Sequence, residues 1–501
     1  MDKKNKQDVS EALKSEEKLK SEWYILDLNG ELHKIEIKED KIVGFDFKDY
    51  PNLLKFAKYE MLKKRKYNEE PPHIDLMKKL ELVNYEEGSD LGHFRYYPKG
   101  RFLKKMLEDF VSKKTIEYGA MEIESPIMYD YEHPSLKKYL HRFPARQYVV
   151  ESTGKRSFFL RFAACFGQFL MAHNMNISYK HLPLRLFELT KYSFRLEQSG
   201  ELAGLKRLRA FTMPDSHAFV KDYEQGKEEM IKRFELSKDI INNVGFNASD
   251  DFELGIRFVK DFYENNKDIA NDLVKNMGKP ALIEMWDKRF FYFSMKYELN
   301  FIDAMDKATA LVTDQFDVEN AERYGITYVD ENNEQKYPII LHLSPSGAIE
   351  RVIYALLEKA WIKEKKEEIE PMLPVWLSPE QVRLLPVADR HLEITEKLAK
   401  KMEKQNIRVG IDDRVLSVSK KVFQAKTDWV PYIIVMGDKE EKGDKLPVVI
   451  REESKIKNDK IMNMEIDELI SKISKECEGR LKSHLNIPKY MSKRPIFYAR
   501  K

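Results

Sequence analysis

Apolar and polar positions follow two periods along this chain, and the switches between them mark its elements. Residues 1–21 are almost entirely polar and offer no face to pack. From Trp23, WYILDLNGELHKIEIKED alternates about the Asn29–Gly30 pair, which predicts a two-strand hairpin. HIDLMKKLELVNYEEG reads as a short helix running into a turn. A turn at Pro98–Gly100 leads into a helix with Phe102, Met106, Phe110 and Val111 on one face. MEIESPIMYDY follows as a strand interrupted by Pro126. LRFAACFGQFLMAHNMNISY predicts a helix with Cys165 near its start, and LPLRLFELTKY a strand. Two further strands, FRLE and RAFTMPDSHAF, flank the tight connection SGELAGLKR with its glycines Gly200 and Gly204. A charged amphipathic helix then runs to Gly245, and residues 246–290 carry FELGIRFVKDFYENN followed by helical charge patterns. Beyond them come strands, a turn, more strands, and a helix that Gly347 opens.

After the lysine–glutamate linker KEKKEEIEP (363–371) strands and helices alternate: QVRLLPVA, HLEITEKLAKKMEKQ, IRVGI, VSKKVFQAKTDW, VPYIIVMG, LPVVIRE and MEIDELISKISKE. That order implies an α/β unit about a mixed sheet. With the Pro71–Pro72 pair as a break, four stretches result: a tail and small β-rich module (1–72), a large central domain (73–370), the α/β domain (371–476) and a basic tail (477–501).

Composition narrows the class more than it names one. The 501 residues are 42% hydrophobic, enough for real cores, and the charges nearly cancel at +3. Any nucleic-acid contact must therefore come from local basic patches rather than overall charge. Two cysteines, Cys165 and Cys477, argue against a disulfide framework and suit a reducing cytosol. No signal-peptide core and no apolar run of about 18 residues appears, so the expectation is a cytoplasmic protein with no membrane partner.

The chemistry concentrates in Phe194–Phe219, FRLEQSGELAGLKRLRAFTMPDSHAF. A hairpin there would gather Arg195, Glu197, Arg207 and Phe211 on one surface. Guanidinium forks suit phosphate because they are planar, always charged and bond two oxygens at once. The stretch reads as a nucleotide-phosphate cradle without a GxxxxGK[ST] loop; read alone, a charged hairpin with a solvated loop is the competing interpretation.

The order F-R-x-E, S-G-x-L-x-G-L-x-R-x-R-x-F-T and D-x-H resembles motif 2 of class II aminoacyl-tRNA synthetases, and within that class the threonyl-tRNA synthetases. The resemblance runs through about residues 73–470, with the helix–strand unit after Pro98 similar to motif 1 and HLSPSGAIERVIYALLE similar to motif 3. It implies an α+β class II catalytic domain, an antiparallel sheet flanked by helices, followed by a C-terminal α/β anticodon-binding domain. It also implies ATP-dependent activation of threonine to its adenylate, transfer to tRNA(Thr), ATP carried with Mg2+, and a homodimer built through motif 1.

Residue by residue, the resemblance places Arg195 on the α-phosphate, Arg207 and Arg351 on the outer phosphates, and Phe211 with Arg351 about adenine. Glu197 would help recognise the nucleotide, Asp215 would pair with the substrate ammonium, and Thr313 and Gln315 would line the amino-acid pocket. His141 would take part in proton movement during transfer, although a lone histidine is ordinarily structural. Cys165, His217 and His342 would hold one Zn2+; their long spacings carry no metal signal of their own, and Cys165 alone reads as a small buried hydrophobe. Three protein ligands leave the open position of a working zinc. In the anticodon domain Glu440 matches, and Arg414, Lys426 and Arg451 are candidates. Met213, Pro214, Ala310 and Phe293, with Val415 and Phe423 in the second domain, depart from bacterial members. Because residues 1–70 are too few for the editing domain many members carry, removal of mischarged serine is expected from a separate protein. The alternatives are a relative that binds tRNA or amino acid without charging, or a prolyl- or seryl-type synthetase.

Overall fold

The computed structural model describes residues 21–63, 69–140, 147–289 and 291–498. One eleven-stranded sheet organises the larger part. In chain order its strands are β1 (Ser21–Leu26), β2 (Leu32–Lys38), β3 (Lys41–Val43), β4 (Met121–Glu122), β5 (Leu184–Phe194) and β6 (Ala210–Val220). They continue as β7 (Phe252–Val259), β8 (Ala281–Trp286), β9 (Phe293–Ile302), β10 (Ala308–Asp317) and β11 (Ile339–Ser344). Across the sheet the order is β3-β2-β1-β8-β7-β9-β10-β11-β6-β5-β4. Every neighbouring pair is antiparallel except β7–β8 and β4–β5.

Five helices set the layers: α1 (Pro51–Leu62), α2 (Pro98–Glu117), α3 (Cys165–His173), α4 (Tyr223–Asn243) and α5 (Ile349–Glu367). Helix α2 starts with proline at its first turn, where the missing N–H costs nothing, and Phe102, Met106, Phe110 and Val111 are buried as their spacing requires. Together α2, α4 and α5 bury one face of the sheet in a single apolar core with Leu254, Ile256, Val312, Phe316 and Leu343. The opposite face is covered at one end by α1, through Leu53, Phe56 and Ala57, and at the other by α3, through Phe166 and Phe169. Between these two helices Lys296, Thr313 and Gln315 remain half-exposed while Val312, Asp314 and Phe316 of the other face are buried. That open strip is the floor of a cleft.

The expected hairpin after Trp23 forms, and β1 pairs with β8, so it extends the central sheet. One strand was not legible: β8 lies in a stretch read as helical, because five of its six residues are buried and it shows no alternation. The expected linker is also partly helical, since α5 continues to Glu367 and ends on Glu368 at φ +54°.

The smaller part is a five-stranded sheet of β12 (Val382–Pro386), β13 (Val409–Ile411), β14 (Tyr432–Met436), β15 (Lys445–Ile450) and β16 (Ile461–Glu465), ordered β13-β12-β14-β15-β16. The first three are parallel and the last two antiparallel, the mixed sheet that the alternating pattern implies. Helices α6 (Leu392–Glu403), α7 (Val418–Thr427) and α8 (Ile466–Glu476) accompany it.

Candidate active site

Register brings distant residues into one line. Directly opposed pairs run across the sheet from Glu284 to Arg257, Lys296, Gln315, His342, His217 and Leu186. Opposed residues in a sheet share a face, so this row crosses the cleft floor. Helix α3 then brings Cys165 over its end. Cys165 Sγ lies 3.2 Å from His217 Nε2 and 3.6 Å from His342 Nδ1, and the two histidine nitrogens are 3.1 Å apart. A tetrahedral zinc with bonds of about 2.0–2.3 Å holds its donors about 3.3–3.7 Å apart. Two of the three separations fall a few tenths of an ångström short of that range, so a small outward shift of the side chains fits this donor set to the ion.

Partners behind the two histidines leave the right nitrogens free. His217 Nδ1 donates to Gln168 Oε1 at 2.8 Å, and Gln168 Nε2 in turn donates to the Asp215 carbonyl at 3.2 Å, which fixes the amide's orientation. His342 Nε2 donates to Asp317 Oδ2 at 2.7 Å. Each ring is thus set in the tautomer whose lone pair faces Cys165. Burial, with the neighbouring His342, holds the His217 imidazole well below its ordinary pKa and hence neutral. Burial, with Asp215 and Asp317 nearby, pushes the Cys165 thiol up, so a cation is needed to ionise it.

Asp215 sits two positions before His217 on β6 and faces the same way, with Thr190 Oγ1 at 3.4 Å. Burial and the opposed Glu188 carboxylate push Asp215 up to about 7. Glu188 itself is buried and held by Arg161 at 2.7 Å and by the Ser125 hydroxyl at 2.8 Å. Gln315 accepts a hydrogen bond from the Tyr292 hydroxyl. Thr313 lies two residues back on the same face.

The expected phosphate cradle is built differently from a simple hairpin. β5 ends at Phe194 and β6 begins at Ala210, so Arg195, Glu197 and Arg207 belong to the loop between them. Glu197 is buried, and its carboxylate takes Arg195 Nε and Arg207 Nη2, each at 3.0 Å. Arg351, in the first turn of α5, donates Nε to the Lys206 carbonyl at 3.0 Å and Nη1 to the Ala310 carbonyl at 3.4 Å. Gly347 permits this approach: it sits at φ +74°, and a Cβ there would lie 2.2 Å from the Leu311 carbonyl oxygen. Glu201 also takes Arg207 Nη2 at 2.9 Å, so three guanidinium groups stand beside two carboxylates and leave a local excess of positive charge. Phe211 has the same strand parity as Met213, Asp215 and His217, so it lies on the cleft side of β6, buried against Leu208 and Ala348.

His141 lies outside the described residues. In the smaller sheet the four candidates are not brought together. Arg414 makes a two-bond contact to Asp412 at 2.8 and 2.6 Å, and Glu440 Oε2 accepts from the Gly437 amide at 3.0 Å, both beyond the carboxyl ends of parallel strands. Lys426 and Arg451 instead meet at Glu370 of the linker, at 3.5 and 3.0 Å. Arg451 is buried there and also donates to the Pro371 carbonyl, which turns its guanidinium away from solvent. Val415, Leu416 and Phe423 are exposed apolar side chains in the stretch that follows Arg414.

Several supporting residues escaped the sequence reading. Gln168 stands three positions after Cys165 on α3, and Asp317 two after Gln315 on β10, so helical and strand spacing would have found both. Lys296 is placed by cross-strand register alone, and buried Arg233, 2.8 Å from Asp314, by packing from the far face.

Comparison with known proteins agrees with this architecture. Residues 148–360 match the tRNA synthetase class II core domain (G, H, P, S and T), and residues 381–476 the anticodon binding domain. The threonine–tRNA ligase of Methanosarcina mazei is 53% identical over 489 residues, covering 98% of this chain and 75% of that protein. That of Pyrococcus horikoshii is 54% identical over 492 residues, covering 98% and 76%. Among solved structures, the RNA binding domain of threonyl-tRNA synthetase from Cryptosporidium parvum superposes with a TM-score of 0.68 at 22% identity, covering 81% of this chain and 98% of that one. Prolyl-tRNA synthetase from the same organism superposes at 0.62 and 17% identity, covering 80% and 73%, a likeness of fold alone. On the identity and coverage of these relatives, the chain belongs to the threonine–tRNA ligase family of class II aminoacyl-tRNA synthetases.

Proposed function

We propose that the chain activates threonine with ATP and transfers it to tRNA(Thr). The observation that carries this reading is one cleft floor with an amino-acid pocket at one end and an arginine cluster at the other. Arg195, Arg207 and Arg351 bind the triphosphate, which arrives with Mg2+; charge building on the α-phosphate during attack by the threonine carboxylate meets fixed guanidinium groups that need no rearrangement. Pyrophosphate leaves toward the same cations. Asp215 accepts a hydrogen bond from the substrate amino group, and Thr313 and Gln315 border the side-chain pocket.

Cys165, His217 and His342 would hold a zinc ion, with Gln168 and Asp317 fixing the two imidazoles. When bound, zinc would supply Lewis-acid positions for threonine's amino nitrogen, as the neutral amine, and for its hydroxyl, the second donor that valine lacks. A pocket built for that hydroxyl rejects valine strongly, whereas serine differs only by a methyl worth about 1–3 kcal/mol. Serine therefore leaks through and needs clearing. A separate hydrolase is the proposed source of clearing. Rapid hydrolysis of seryl-tRNA by this chain alone would refute that assignment.

Arg414, Glu440 and the exposed Phe423 are proposed to face the anticodon, beyond the ends of the parallel strands where open α/β sheets bind ligands. Association of two copies is proposed through the motif 1 segment, where Ile116, Met121, Ile127 and Met128 are exposed beside edge strand β4. No helix among the described residues is long and apolar enough to cross a membrane. The test is ATP-dependent attachment of labelled threonine to a tRNA(Thr) transcript. Label on the tRNA's 3′ end is expected; adenylate formation with no transfer would move the chain to the binding-only alternative.

A further inference from the structure

The last described segment does not trail away from the molecule. On the side of the smaller sheet, the Ile411 amide donates to the Lys489 carbonyl at 2.9 Å, and Tyr490 forms a parallel bridge to Ile411 at the edge of β13. The Ser492 amide donates to Asp413 at 2.9 Å, one residue from Arg414. Arg494 pairs with buried Glu380 at 2.5 Å. The same segment then crosses to the catalytic part. Asn486 Nδ2 donates to the Pro98 carbonyl at 2.7 Å, the Phe497 and Tyr498 amides donate to Glu81 at 2.8 and 3.3 Å, and the Phe497 ring meets Tyr97 at 5.5 Å. Lys99 bridges the crease, 3.5 Å from Glu81 and 3.7 Å from Asp428.

These anchors end on two functionally different elements. Asp413 belongs to the loop that carries Arg414 and exposed Val415. Tyr97 caps α2, whose Lys104 pairs with buried Glu350 at 2.6 Å. Glu350 accepts the Thr212 amide at 2.9 Å and precedes Arg351 in sequence. A continuous set of packed, hydrogen-bonded groups thus joins the loop beside the parallel strand ends to the arginine cluster, and the strap at 486–498 is its only stretch that grips both domains through its own backbone among the groups just described.

We propose that residues 486–498 are a positioning strap for tRNA charging: they hold the anticodon-binding part at the spacing and angle at which a tRNA's two ends reach both sites. The inference rests on the ligase reading above. Amino-acid activation needs only the catalytic part, so the strap acts on the step that uses tRNA and leaves activation alone.

The experiment uses the full chain and the variants Glu81→Ala, which removes the carboxylate that holds the Phe497 and Tyr498 amides on the catalytic side, Arg494→Ala, which removes the strap's ion pair on the other, and the two combined. Threonine-dependent pyrophosphate exchange without tRNA and charging of full-length tRNA(Thr) are measured in parallel. Each single variant is expected to keep exchange within about twofold and to lose about tenfold in kcat/KM for tRNA, a coupling of ordinary size. The double variant is expected to lose less than the product of the two single losses, because both changes loosen the same strap. Unchanged charging, an equal fall in exchange and charging, or effects that multiply in the double variant would each overturn the strap. An unaltered chain that fails to charge tRNA would instead overturn the ligase reading.

Discussion

Replacing Asp317 by asparagine alters one side of one buried carboxylate, and its effect can be followed atom by atom. Asp317 Oδ1 accepts the Glu319 and Asn320 amides at 2.8 and 2.9 Å, which an asparagine oxygen still does. Oδ2 accepts His342 Nε2 at 2.7 Å and Asn320 Nδ2 at 2.6 Å. An amide NH2 in that place confronts two donors. The cheapest escape is for His342 to move its proton to Nδ1, the nitrogen that faces Cys165 and His217. Metal binding must then expel that proton and leave a buried donor facing a donor. Loss of such a support behind a ligand histidine costs about 10–100-fold in metal affinity, or about 1.4–2.8 kcal/mol. The assay is competition for zinc against a chromophoric chelator, with ATP binding measured on the same samples. Weaker zinc and unchanged ATP affinity are expected. Equal zinc affinity in the variant would refute the tautomer argument, and a parallel loss of ATP affinity would show a general collapse of the cleft.

Two further perturbations probe the scaffold behind the site. Arg233 and Asp314 are both fully buried, so Arg233→Ala strands a charged carboxylate under the strands carrying His217 and Gln315; a loss of about 3–5 kcal/mol in urea unfolding is expected, and a loss below about 1 kcal/mol would contradict it. Burial alone would raise the Glu380 carboxyl, yet Arg383 and Arg494 outweigh it and hold it at about 2 against an ordinary 4.5. The unfolded chain then binds the extra proton, so about 3 kcal/mol of stability is present above pH 4.5 and lost as pH falls toward 2. Arg494→Ala should flatten that loss in thermal melts between about pH 5 and pH 3, and identical slopes for both chains would contradict the assignment.

What was legible in the chain follows from the range of each signal. Local periods placed α2 and its buried face, the hairpin after Trp23 and the alternating strands and helices after residue 380. They failed at β8, where burial on both faces erased the alternation. The candidate zinc ligands stand 52 and 125 positions apart, so composition and spacing were silent, and resemblance to a family singled them out. Gln168 and Asp317 were within reach of simple helix and strand spacing. Lys296 and Arg233 were not, because cross-strand register and packing through the sheet exist only once the chain is folded. Arg451 shows the opposite limit: a basic residue suited to RNA by charge is used up in the linker.

The central claim is that this cleft activates an amino acid and selects it by its hydroxyl. Exchange of labelled pyrophosphate into ATP, run with threonine, serine, valine and proline on zinc-loaded protein, tests both halves at once. The account predicts strong exchange with threonine, weaker exchange with serine and almost none with valine or proline. Valine exchange equal to that with serine, or exchange with proline alone, would contradict it.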